Sequence, residues 1–552
     1  MTDISVPPPN RPPIPHSKPS SPATAPKPIP SRRQNTHRSA AADPLSNRAT
    51  ENLIRRTLYP QRCGSSDKES PAIDDILPPL SSRNDVDLQL YAFLAIILRE
   101  FVQSWYSKIT TDETFVQELL HVIAHCSRAL EQRFRKVDLQ SLVLDEIPDL
   151  LDKHITAYRA SHGSAVQIPL KINSHDIYHA LTPLPALSPV PHPEDLATVE
   201  LQQQNETLYR QLLVQGVLSI LLPTEDLENP CLTALVEQIV AELIVGNVIV
   251  NKAAQPWLLF EGICIIARVL QQKKDIASSD EGLGLIGPSR RQWSVHGFLV
   301  SIIGWFMILI TSLRLGLATM LASSSLPTRR CRLDGTGGDG LKDHQVADVA
   351  REPVPVLEFR LWACLGNIAE LGLRMPWLGG MLSLLKYGAV YGPGRIADVD
   401  GVFDRILSYH MATLLDPAHL PSALRTLRGV LFPNNAPGTP SLFPPSSDEA
   451  LLALRRRAAS SLWGLLPKGA GRLYFGSRIW REPAAPSASV GSANRDGEDE
   501  DMIDEVEGLL MVLSDEYCNK HLIYGVLETI LLRLMPELAE KGIVELLEER
   551  LG

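Results

Sequence analysis

From Val295 to Leu313, within WSVHGFLVSIIGWFMILITSLRLG, the chain carries no Asp, Glu, Lys or Arg, and no other run of that length is both free of them and mostly apolar. This run constrains the fold most, because about 20 mostly apolar residues suffice to cross a bilayer. Its apolar side chains include Val295, Phe298, Leu299, Ile302, Ile303, Trp305, Phe306, Ile308, Leu309 and Leu313. Three placements are open for the segment 293–323: a span, a helix lying in the membrane surface, or a helix at the centre of a helical core. A span requires a neutral His296 and an Arg314 that reaches back to the interface. Arg290 and Arg291 precede the run, and Arg314, Arg329, Arg330 and Arg332 follow it. Positive charge on both sides selects no orientation.

The other residues supply ample material for packing. Of 552 residues, 44% are hydrophobic and 21% charged, the balance of a globular protein with at least one large core. A net charge of -10 argues against general nucleic-acid binding. The seven cysteines are odd in number and form no CxxC pair, which argues against a zinc site or a disulfide framework. A reducing, cytosol-facing compartment fits that usage. The N-terminal MTDISVPPPNRPPIPHSKPS has no apolar core, so it does not read as a secretory signal.

Periodicity predicts an all-α fold. Residues 1–80 are expected to be a disordered, Pro-rich tail, poor in the large apolar side chains that offset chain entropy. VDLQLYAFLAIILREFVQSWYSKI, from Val86, is apolar nearly all round and predicts a buried helix. In the next segment Phe115, Leu119, Val122, Cys126, Leu130, Phe134 and Val137 recur at helical spacing. Asp138 is the expected N-cap of a third helix, which Pro148 kinks or splits. Two long helical patterns and PWLLFEGICIIARVLQQKK complete a domain over 86–275. VGNVIV would pass for a strand out of context, but its surroundings are helical. Helical patterns return over 350–552, with flexible inserts expected at 433–449 and 482–504.

No residue set carries catalysis. HVIAH places His121 and His125 four apart, but Val122 stands where a zinc protease needs Glu. GPGR at Gly392 and GTGGDG at Gly335 lack the Lys-Ser/Thr or the strand-to-helix context of phosphate loops. No GxSxG elbow occurs. The reading is a non-enzyme without cofactor or metal. Trp105 and Tyr106, near a helix end, read as an aromatic anchor.

Several blocks in order resemble the PXA (PX-associated) domain of fungal proteins. They are NLIRRTLYPQ, LPPLSSRNDVDLQLYAFLAIILREFVQSWYSKITTDETFV, HCSRALEQRFRKVDLQSLVLDEIPDLLDKHITAYR and NPCLTALVEQIVAELIV. Trp105, Tyr106, Asp112, Arg133, Asp138, Asp145, Glu146, Pro148 and His154 carry the likeness. The ending LSDEYCNKHLIYGVLETILLRLMPEL is similar to the last helix of the sorting-nexin C-terminal (nexin C) domain, through Asp515, Asn519, His521, Pro536 and Glu537.

The resemblance implies a helical unit in which the two end regions pack together. It also implies endosomal or vacuolar traffic, endoplasmic reticulum contact sites and lipid binding on the cytosolic face of intracellular membranes. The implied partners are membrane lipids, held in an apolar groove or at the bilayer surface. The sequence departs from sorting nexins in lacking a PX segment and an RGS module, and its hydrophobic run follows the PXA region instead of preceding it. A single span at 295–313 would also put the two halves on opposite sides of the membrane. The expected function is a non-catalytic, membrane-associated lipid-binding or tethering protein. The alternative is a soluble scaffold that recruits partners through the Pro-rich tail and the acidic loop.

Overall fold

The computed structural model describes residues 45–59, 76–103, 106, 108, 114–163, 173–280, 354–432, 435, 443–479 and 495–551, with ten further positions between 307 and 326. Among the described residues the chain is helical, and the one extended pairing is an isolated bridge between His192 and Asp195.

The first half contains α1 (Asn47–Leu58), α2 (Asn84–Ile97), α3 (Thr114–Phe134), α4 (Ile147–His162), α5 (Ser174–Leu181), α6 (Leu196–Leu221), α7 (Pro230–Gln238) and α8 (Pro256–Asp280). The second contains α9 (Arg360–Ile368), α10 (Pro376–Tyr391), α11 (Val402–Leu414), α12 (Leu420–Leu431), α13 (Asp448–Leu465), α14 (Lys468–Ile479), α15 (Arg495–Leu510), α16 (Glu516–Leu534) and α17 (Ile543–Leu551). From residue 44 onward the two halves form one compact unit.

Local chemistry sets many boundaries. Asp138 accepts from the N–H groups of Gln140 and Ser141, as an N-cap should. Pro148 sits in the first turn of α4, where its missing N–H leaves no bond unmade. Just before it, Leu142–Glu146 takes the wider π register, so the proline divides two helical segments. VGNVIV is helical too, inside the π-register segment Ile239–Lys252 that continues α7.

Two stretches that composition assigned to loose chain are packed helix. Within the expected 1–80 tail, α1 buries Ile54 and Leu58, which join Leu77, Leu80, Tyr91 and Ala95 in one apolar cluster. The few large apolar residues of the tail are concentrated there, a local signal that an average over 80 residues hides. Within the expected insert 482–504, residues from Arg495 are helical. Four acids of α15 are paired with a facing basic set: Arg472 with Asp499, Arg456 with Asp504, Arg374 with Glu505, and Arg455 with Glu507. Its Met502, Val506 and Leu510 pack with Phe260 and Cys264 of α8 and Trp463 of α13. The expected insert 433–449 likewise ends early, because Ser447 caps α13 and Asp448 and Glu449 lie in its first turn.

The named residues of the uncharged run, Val295 to Leu313, lie outside the described residues. Among the described residues one helix is long and apolar enough to cross a membrane, and it is Pro230–Lys252. Ala241, Val245 and Val250 of that helix enter an apolar cluster with α6 and α16, and its Glu242 pairs with Arg210. Those contacts seat one face of the helix in the fold, while Leu235 and Ile244 of the same helix are exposed.

Candidate functional site

The residues singled out at the two ends of the sequence meet along α16. Asp515 caps this helix by accepting from the Cys518 N–H at 3.0 Å. It also takes a 2.7 Å hydrogen bond from His175 Nε2 of α5, 340 residues earlier. Burial alone would raise the Asp515 carboxyl, but the bonds from His175 and Cys518 outweigh it and hold the group at about 2. The same bond raises the His175 imidazole against the opposing effect of burial.

Next to this pair is a buried set of imidazoles and phenols. His154 of α4 has Nε2 3.3 Å from the Val512 carbonyl and Nδ1 2.8 Å from the Tyr178 hydroxyl. A carbonyl only accepts, so Nε2 carries the proton and Nδ1 accepts from Tyr178. Burial pushes His154 down to about 4. His521 of α16 lies edge-on to Tyr178, His179 and Tyr517, with ring centroids 5.2, 5.3 and 4.9 Å away. Burial, reinforced by the neighbouring imidazoles, brings His521 to about 3. The Tyr517 hydroxyl lies 3.1 Å from both His179 Nδ1 and the Leu187 carbonyl. Asn519 donates to the carbonyls of Ala254 and Leu513, both at 3.0 Å.

Further along α16, the Tyr524 hydroxyl donates to Glu206 of α6 at 3.0 Å. Glu206 also receives Arg210 at 3.1 Å and Gln202 at 2.9 Å. This charge is buried but paired and hydrogen-bonded, as such burial requires. At the C-terminal end, Arg133 Nη1 donates to the Leu534 carbonyl at 3.1 Å and to Glu537 at 2.9 Å. It thereby satisfies a carbonyl that the helix end leaves unpaired. Arg533 forks onto Glu146, and Asp145 accepts the Arg360 N–H at 2.9 Å, at the start of α9. Pro536 precedes the short helix Glu537–Glu540.

Thus Arg133, Asp145, Glu146 and His154 all touch the second half of the chain, and Asp515, Asn519 and Glu537 touch the first. Asp138 and Pro148 shape the chain locally. Tyr106 packs against the α1–α2 cluster, while Trp105 and Asp112 lie outside the described residues. His121 and His125 are exposed on α3, and no group of metal-holding geometry occurs among the described residues. The sequence reading missed His175, Tyr178 and His179, and with them Tyr517 and Tyr524. A signal was available: 175, 178 and 179 share one face of a helix, as do 517, 521 and 524.

The arrangement clamps two halves together; it presents no activated nucleophile. Two cavities stand out elsewhere. One, of about 10 Å³, lies among Ile54, Leu58 and Leu77. The other is an open depression of about 460 Å³ beside Glu200, Gln203, Gln204, Thr207 and Leu208. The first is water-sized and the second is an open surface depression, so neither encloses an acyl chain.

Residues 83–266 match the PXA domain family. The chain is 27% identical over 205 residues to PXA domain protein 1 of Schizosaccharomyces pombe, covering 37% of this chain and 35% of that relative. It is 23% identical over 454 residues to an uncharacterized protein of Saccharomyces cerevisiae, covering 81% of this chain and 79% of that one. Sorting nexin-14 of Danio rerio is 37% identical over 70 residues, which are 13% of this chain and 8% of the relative. No solved structure matches the chain.

Proposed function

We propose, for a chain that carries a PXA domain at residues 83–266, a non-catalytic role on intracellular membranes, in lipid binding or tethering during organelle traffic. The relationship to sorting nexins supports a trafficking role. One structural observation carries the membrane part. Of the segment expected at 293–323, the described positions 307, 310, 311, 314, 317, 318, 320 and 321 are helical and exposed. They include Met307, Ile310 and Leu317, which are 60%, 45% and 61% exposed. A central core helix buries such side chains, and a membrane-facing one presents them. This favours the bilayer over the core for the segment 293–323. The clamp between the two halves argues in the same direction as the flanking arginines: both ends of the segment stay on one side of the membrane.

Fractionation of cells with a carbonate wash tests the reading. The protein is expected to pellet before and after the wash, and full recovery in the soluble fraction would overturn it in favour of a scaffold. Deletion of residues 295–313 is expected to leave a folded protein that no longer pellets. Unfolding of the deletion variant would return the segment to the core. Extraction of the purified protein followed by mass spectrometry reads lipid binding directly.

A further inference from the structure

We infer that α10 is a second membrane-docking element, which lies in the interface of an anionic bilayer; the inference rests on the membrane role proposed above. The sequence of α10, PWLGGMLSLLKYGAVY, has one charge, Lys386. In the folded chain Trp377, Leu384, Leu385, Tyr387 and Tyr391 are 67%, 73%, 61%, 65% and 61% exposed. Every residue from Gly380 to Leu385 is exposed. At about 100° per residue, that run covers the full circumference of the helix.

The helix is nonetheless held at both ends. Leu371 packs beneath Gly379, Val390 is buried, and the Ala397 N–H donates to the Ala389 carbonyl at 2.9 Å. Tyr391 donates to Glu358 at 2.6 Å. An apolar rod thus projects from the fold with fixed ends.

Three observations select a bilayer as the occupant. A second copy of the chain, packed helix to helix, would cover one stripe and leave the remaining apolar side chains in water. Acyl chains and headgroups surround a helix from several sides at once. The charge fits as well: no Asp or Glu occurs from Leu371 to Gly394, whereas Lys386 lies in the helix and Arg395 follows it. The nearest acids are engaged, Glu358 by Tyr391, Glu370 by Arg374 and Asp398 by Arg395 itself. Trp377 near one end, and Tyr387 and Tyr391 near the other, are the amphipathic rings that settle at headgroup level. Sixteen residues reach about 24 Å, short of the roughly 30 Å hydrocarbon layer, so the helix lies along the surface.

Flotation of the purified full chain with vesicles tests this, using phosphatidylcholine with and without phosphatidylserine. Wild type is expected to float, more so with phosphatidylserine. The double variant Leu384→Glu/Leu385→Glu should partition at least about tenfold more weakly, with an unchanged thermal melt, because both side chains point into water. Leu473→Glu, at a residue 74% exposed on α14, should float like wild type. If the double variant floats like wild type, the α10 inference fails and the membrane role stands. If wild type does not float at all, both fail. A lipid-free dimer that the double variant dissolves would make a second copy the occupant and overturn the inference.

Discussion

At the scale of single residues, Arg133 shows how one side chain joins distant parts of the chain. Its Nη1 satisfies the end of α16 through Leu534 and pairs with Glu537. Arg133→Ala would leave a carbonyl uncapped and a half-buried carboxylate alone, and should lower stability by about 1–2 kcal/mol. Arg133→Lys should recover only part of this, because a lysine lacks the planar fork. Urea midpoints of the three proteins check the order. Gly262 offers the opposite case. It lies inside α8, and a Cβ there meets nothing within 4 Å. Gly262→Ala should raise stability by roughly 0.5–1 kcal/mol, by removing chain freedom from the unfolded state. An unchanged or lower midpoint would show that the site is more crowded than its geometry indicates.

At the scale of elements, α16 packs its polar residues inward, and that makes its docking sensitive to acid. His154 and His521 have folded values near 4 and 3, below the ordinary 6.5. The unfolded chain therefore binds more protons between those limits, and stability falls as pH drops from 6.5 toward 4. The shift of His154 alone corresponds to a loss on the order of 3 kcal/mol at 1.36 kcal/mol per pH unit. His175 acts the other way: its raised value adds stability below 6.5 that is lost as pH rises through it. Asp515, held near 2, adds a further loss below about pH 4. Around the two low histidines stand His179, Tyr158, Tyr178, Tyr517 and Cys518; burial raises the phenols and the thiol, so they stay neutral between pH 6.5 and 4, and it lowers His179. The melting temperature should thus fall from pH 6.5 to 4, and His521→Asn should flatten that slope. A flat wild-type profile would show that these imidazoles reach solvent.

Much of this level was legible in the sequence. Of the predicted stripe, Val122, Cys126 and Leu130 of α3 pack inward against α6 and α16, as does Val137 just beyond the helix, whereas Phe134 is exposed. A second face of the same helix, Val116, Leu120 and Ala124, packs against α2 and was not read, because a helix between two layers breaks single-stripe periodicity. The His and Tyr set was hidden for a different reason. Each half has helical spacing, but the pairing joins residues some 340 positions apart, and spacing carries no information at that range. The acidic α15 looked like solvated chain because the arginines that pair with it lie on α13, on α14 and at Arg374.

At the scale of the whole molecule, the chain behaves as two interlocked halves. Besides α16, α8 packs on α13, and Arg457 pairs with the buried Glu261. Arg159 of α4 grips the end of α9 through the Asn367 carbonyl at 2.7 Å and side chain at 2.9 Å. Arg428 of α12 is fully buried and donates to Thr50 of α1 at 2.7 Å. The PXA helices are therefore an incomplete core without the C-terminal half. A specific protease site inserted at residue 340 turns this into a measurement. After cleavage the two fragments should co-elute as one species, with a melting transition close to that of the intact chain. They should stay together at about 1 M salt, where exposed ion pairs are screened, because apolar clusters and buried hydrogen bonds form most of the seam. Fragments that separate in low salt would mean that the covalent link supplies the association. Fragments that separate only in high salt would shift the weight to Arg133–Glu537 and Arg533–Glu146. The first outcome expected here, co-elution at both ionic strengths, requires that both ends of the segment at 293–323 remain on the same side of any membrane it meets.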